Sequence, residues 1–288
     1  MTVRRLLVFL LMIISFAGSR AFAQQARFRV LAFYSEKTEP DHVQFAQQAV
    51  KFLRERAASE HFTFETSTDW QDLNDERLNP YQLIIWLNES PKKAEQRRAF
   101  ERYMQGGGAW LGFHAAAYND KDTDWPWFVD FLGGAVFHIN SWPPLPARLV
   151  IDHRSHPVTA GISDFESPAN EWYIWKPSPR LNKDVRVLVT LDPSNYPIGF
   201  KDVLTSGDLP VVWTNTKYRM LYMNMGHGDK IFTSPEQNQL IDNAVNWLGT
   251  GATQHATPEP TGIRISSNGI LANLPSDNEG FNRFWSEP

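Results

Sequence analysis

Two histidines in this sequence stand beside glycine where an apolar run stops. His114 closes the run Ala109–Phe113 within GGGAWLGFHAAAY, and His227 lies in Gly226-His227-Gly228 after Arg219–Met225. An imidazole titrates near neutral pH, so either ring can take or deliver a proton. Glu171, in the segment NEWY at 170–173, offers a carboxylate partner. Asp229, two residues past His227, can orient its imidazole through a turn, and His138 ends a short segment after Gly133-Gly134. These residue types also suit a divalent transition metal, with His114, His138 and His227 as its ligands. Their long spacings match no compact ligand motif. Tyr34, His42, Trp142 and Tyr173 are the groups expected to stack on or hydrogen-bond to a sugar, against the ordinary reading of aromatics as core. His153 and His156 flank a turn at Pro157 and read as structural.

Other chemistries are excluded. The chain has no cysteine, so there is no thiol nucleophile and no disulfide. It has no Walker loop and no GxSxG elbow, and its GGG at 106–108 precedes a strand rather than a helix, which rules out a dinucleotide fingerprint. The formal net charge is −4, and no basic run occurs beyond the first residues, so neither nucleic acid nor an anionic membrane surface is an expected partner.

The elements that must carry these residues follow from apolar periodicity. Arg27–Tyr34, Phe62–Thr66, Tyr81–Leu87 and Ala109–Phe113 read as strands, the third apolar on both faces and hence central and parallel. Phe45, Ala46, Ala49, Val50, Phe52 and Leu53 form one face of a helix capped by Asp41. A second helix is expected to start at Ser90-Pro91 and stop at the glycines 106–108, and a third to start from the alanines after His114. Strands alternating with helices predict a parallel sheet with helices on both faces. Ligands of such sheets sit at the carboxyl ends of the strands, where His114 stands. Ala135–His138, Ala147–Asp152, Trp172–Trp175, Val185–Leu191, Pro210–Asn215 and Arg219–Met225 are further strands, and Ser234-Pro235 starts a last helix.

The ends read differently. Arg4 and Arg5 precede the apolar run Leu6–Ala17, and Ala21-Phe22-Ala23 matches a small-x-small cleavage site. Residues 1–23 are therefore expected to be a signal peptide, giving a periplasmic or secreted protein with no membrane span in its mature form. The α/β domain is expected over 24–249. Residues 250–288, rich in Thr and Pro at their start, read as a linker and loosely ordered tail.

Taken together, GGGAWLGFHAA at 106–116, FLGGAVFH at 131–138, DHRSHPVTAGI at 152–162, NEWY at 170–173 and MGHGDKIF at 225–232 resemble the ThuA-like (trehalose-utilisation) domain of the class I glutamine-amidotransferase-like superfamily. The resemblance covers roughly residues 28–249. It implies an α/β, flavodoxin-like, doubly wound, mostly parallel sheet. In the amidotransferase relatives the elbow carries a nucleophilic cysteine, and a later His-x-Glu completes a triad. Here His114 occupies the elbow, and His227 with Asp229 matches the later pair. Glutamine hydrolysis through a thioester is thus excluded. The acidic pair usual before the aromatic Tyr appears as Asn170-Glu171. The resemblance implies an exported carbohydrate-processing protein, a hydrolase or lyase acting on a di- or oligosaccharide or keto-sugar. The alternative is a non-catalytic sugar-binding module of the same fold.

Overall fold

The computed structural model describes residues 26–120, 122–192 and 209–251, and the short stretches 264–266 and 269–271. The expected signal peptide at 1–23 and most of the expected linker and tail lie outside the described residues. In chain order the elements are β1 (Arg29–Tyr34), α1 (Pro40–Glu60), β2 (Thr63–Ser67), α2 (Asp75–Leu78), β3 (Leu83–Leu87), α3 (Ala94–Gln105) and β4 (Ala109–Phe113). They continue with α4 (Pro126–Phe131), β5 (Phe137–Asn140), β6 (Leu145–Ile151), β7 (Phe165–Asn170), β8 (Tyr173–Trp175) and β9 (Val185–Leu191). Then come β10 (Pro210–Asn215), β11 (Arg219–Met223), α5 (Pro235–Gly251), β12 (Arg264–Ser266) and β13 (Gly269–Leu271).

Nine strands form one sheet in the order β2-β1-β3-β4-β11-β10-β9-β6-β7. From β2 to β11 all neighbours are parallel. From β11 to β7 all are antiparallel. The sheet is therefore mixed, and the expectation of a mostly parallel sheet holds for one half of it. The change of direction has a local cause: the short Thr216–Tyr218 turn between β10 and β11 is far too brief for a crossover, so these strands can only pair antiparallel.

Alternation along the parallel strands divides the core into two layers. Val30, Ala32, Leu83, Ile85, Leu111 and Phe113 pack on the α1 and α5 side with Phe45, Leu53, Leu240, Ala244 and Leu248. Leu31, Phe33, Ile84, Trp86 and Trp110 face the other way, onto Phe100, Tyr103, Phe128 and Phe131 of α3 and α4. Each large side chain so buried contributes on the order of 2 kcal/mol. The Trp86 and Trp110 rings meet edge to face at 5.4 Å, so much of the tryptophan content is core rather than sugar platform.

Two helix expectations need correction. Ser90 and Pro91 precede α3, which begins at Ala94 after the Gln96 side chain has accepted the Lys93 backbone N–H at 3.0 Å. The alanines after His114 form only a 3-10 turn, His114–Ala117, because the Asn119 side chain takes the Ala117 carbonyl and ties the chain to Ala135. Strand β7 has no counterpart among the expected strands: Phe165–Asn170 contains a proline and alternates weakly, as an edge strand does. Within the residues expected to be linker and tail, β12 and β13 form an antiparallel pair.

Candidate functional site

The carboxyl ends of β1, β3, β4 and β11 lie along one edge of the sheet. At that edge β4 delivers His114, β11 leads through Asn224 to His227, and the first turn of α1 delivers His42. The β5–β8 ribbon packs against the same edge, with Tyr173 of β8 tilted against the His114 ring at 4.2 Å. Glu171 sits in the connection from β7 to β8.

His114 is completely buried, at 0% exposure, and its φ of 49° is in the left-handed region that a residue with a Cβ rarely adopts. Such a conformation costs on the order of 1–3 kcal/mol and persists only where its surroundings impose it. Here the Tyr222 hydroxyl donates to the His114 carbonyl at 3.2 Å, and His114 Nδ1 lies 2.9 Å from the Asn224 carbonyl oxygen. Gly226 makes the close approach possible: a Cβ there would sit 2.4 Å from His114 Cβ.

A carbonyl only accepts, so Nδ1 of His114 carries a proton and Nε2 points the other way. Nε2 faces Glu171 Oε2 at 3.1 Å. Burial pushes His114 down, against the opposite pull of Glu171. Burial alone would raise Glu171, but the three surrounding imidazoles outweigh it, with His114 the strongest, and hold the carboxylate below its ordinary range. At this separation the two atoms can hold a proton between them when the pair carries one. The other oxygen, Oε1, accepts from the Asn140 amide in a short hydrogen bond.

The ring centroids of His42, His114 and His227 are 5.1, 5.3 and 5.6 Å apart. His227 Nε2 lies 3.9 Å from Glu171 Oε2 and 3.7 Å from Glu39 Oε2, and its Nδ1 lies 3.5 Å from Asp41 Oδ2. Burial first, then the charge of His114, hold His42 down at about 4. Asn170 fixes the loop that carries His227: its Oδ1 accepts the backbone N–H of Gly226 at 3.0 Å and of His227 at 2.9 Å. Asn88, at the end of β3, donates to the Gly226 carbonyl at 2.6 Å.

The structure brings His114, His227, Glu171, Tyr173 and His42 together. Trp142 is 65% exposed, its ring centroid 6.4 Å from that of His227. Tyr34 ends β1 at the same sheet edge, half-buried on the α1 side of the core. Two expectations are not met. His138 is exposed on β5 and turns to Lys176, with Nε2 3.4 Å from the ammonium nitrogen, so it does not join the cluster. Asp229 starts a 3-10 turn and lies 3.6 Å from Lys230, while the carboxylate beside His227 Nδ1 is that of Asp41. Sequence reasoning missed Glu39 and read Asp41 only as the cap of α1, a place that Glu39 takes. The one available signal was an acidic pair immediately before an expected helix, in the same turn as His42.

The trehalose-utilisation (ThuA) family model matches residues 29–248. A ThuA-like protein from Bacteroides uniformis is 51% identical, with 79% of this chain and 93% of that chain covered and a TM-score of 0.76. A ThuA-like protein from Parabacteroides merdae shares the fold at 19% identity, with 81% of this chain and 93% of that chain covered and a TM-score of 0.58. Among curated proteins none matches this sequence significantly.

Proposed function

The chain belongs to the ThuA (trehalose-utilisation) family, and from that premise we propose that it is an exported enzyme cleaving a di- or oligosaccharide or keto-sugar, with Glu171 moving the proton. The family assigns a carbohydrate-related role. The contact that carries the rest is His114 Nε2 to Glu171 Oε2 at 3.1 Å. His114 is too deeply buried to reach a sugar. It is a positioning residue that orients Glu171, whose side chain is 14% exposed. A carboxylate backed by an imidazole can remove a proton from the sugar and return it to the departing oxygen. His227, 3.9 Å away, flanks the same oxygen. Trp142 offers an exposed indole face to a sugar ring.

The parallel half of the sheet, with helices on both faces, is read here as the flavodoxin-like, doubly wound arrangement. Export rests on Arg4, Arg5, the apolar run after them and Ala21-Phe22-Ala23. No helix among the described residues is long and apolar enough to cross a membrane.

The test is a screen of disaccharides and their keto derivatives with product detection by mass spectrometry. Glu171→Gln is expected to lose at least about 100-fold in kcat with folding unchanged. Full turnover by Glu171→Gln would overturn the proposal. Sugar binding by calorimetry without any product would replace it with the non-catalytic module.

A further inference from the structure

The histidine edge contains more donor atoms than a proton-transfer pair needs. His42 Nε2 is buried and has no hydrogen-bond partner. It lies 3.7 Å from Glu39 Oε2, and His227 Nε2 lies 3.7 Å from the same oxygen. Around a first-row divalent ion with bonds of about 2.1 Å, adjacent ligand atoms stand about 3.0–3.5 Å apart. Each of these two separations needs to close by only a few tenths of an ångström, and ligand atoms of the three residues lie within 4.8 Å of one another.

The side chains of this group are placed by the fold. Glu39 caps α1, and its Oε2 also accepts the His42 backbone N–H at 3.1 Å, so both side chains are placed by one helix turn. His227 is placed by Asn170 through its backbone N–H. Its Nδ1 faces the Asp41 carboxylate, and a ring nitrogen so engaged leaves Nε2 as the free donor. Glu171 Oε2 borders the group from the other side. Glu39 and Asp41 are each nearly half exposed, so the group opens to solvent.

We infer that Glu39, His42 and His227 form a two-histidine, one-carboxylate site for a single divalent transition-metal ion, with Glu171 beside its open positions. Two imidazoles and one carboxylate leave room for water or a sugar hydroxyl in the remaining positions. Such an ion would polarise a sugar oxygen next to the Glu171 carboxylate. It would also assign His227 to the metal, leaving Glu171 as the proton carrier. The site is read from the donor atoms alone and does not depend on the carbohydrate proposal.

The probe is Co²⁺, followed by its visible absorption, with Zn²⁺ by calorimetry, on the untagged chain stripped by chelator. The expected result is one ion per chain, bound at micromolar concentration or tighter. His42→Ala and Glu39→Gln are each expected to weaken it at least about tenfold, with folding checked by circular dichroism. His42→Gln serves if His42→Ala does not fold. His138→Ala and His114→Ala are expected to retain the ion. No uptake, or uptake that His42 and Glu39 substitutions leave unchanged, would overturn the site. Sugar turnover that Glu171→Gln abolishes in a chain that takes up no ion would overturn the metal site and leave the proton-transfer proposal standing.

Discussion

Asn170 Oδ1 accepts the backbone N–H of His227 at 2.9 Å, joining an edge strand to a loop 57 residues away. The same oxygen takes the Gly226 N–H, and the Asn170 amide donates to the Glu171 carbonyl at 2.9 Å. One fully buried side chain thus sets the backbone of both the His227 loop and the Glu171 connection.

Removing it strands buried partners. Asn170→Ala leaves two backbone N–H groups without that acceptor, and a buried unsatisfied polar group costs about 1–3 kcal/mol. The expected loss is about 3 kcal/mol, read by urea denaturation. Asn170→Asp keeps the acceptor but buries a carboxylate whose second oxygen faces the Glu171 and Asn224 carbonyls, so it is not a milder change. A loss below about 1 kcal/mol in Asn170→Ala would show that the N–H contacts contribute nothing.

Most strands were legible because they are short apolar runs with sharp ends: Ala109–Phe113 in the parallel half, and Val185–Leu191 and Pro210–Asn215 in the antiparallel half, coincide with the observed strands. The antiparallel order of the second half was not, because pairing direction depends on which strand lies beside which, and β7 lacks an apolar signature. In the site, His114 and His227 stood out because glycine and strand ends mark backbone that must turn near another chain segment. His42, expected as a sugar-contacting group, is a member of the cluster. His138 looked like a member, but it projects to the exposed face of β5. Period-two alternation gives the face of a strand only when the register is known.

A buried histidine away from the site gives the chain an acid limb. His156 is buried, its Nδ1 accepts the Val158 N–H at 3.2 Å, and its ring meets Trp247 edge on at 4.8 Å. Burial first, then the charges of His153 and Arg186, hold it down at about 4 from 6.5. A depressed value means that the unfolded chain binds the proton more tightly. The stability associated with neutral His156 is then complete above about pH 6.5 and is lost as pH falls towards 4. Discounted for partial solvent access, the expected loss is on the order of 2 kcal/mol. His156→Asn, which keeps an acceptor near Nδ1, is expected to flatten the dependence of Tm on pH between 6.5 and 4. An unchanged slope in that variant would remove His156 from the acid limb.

Trp142 separates binding from folding. Its ring is 65% exposed, so truncation removes little buried area, and Trp142→Ala is expected to change stability by less than about 0.5 kcal/mol. The same face stands beside His227, where a sugar stacked on it would lie over the histidine edge. Loss of an aromatic platform removes about 1–1.5 kcal/mol of binding, or roughly tenfold in affinity. The expected pattern is a raised KM with kcat nearly unchanged, because the indole makes no contact with the proton that Glu171 moves. Sugar affinity by calorimetry and steady-state kinetics on the same variant give the two numbers. A fall in kcat at constant KM would instead place the indole in the cleavage step, and an unchanged KM would put the sugar elsewhere on the sheet edge.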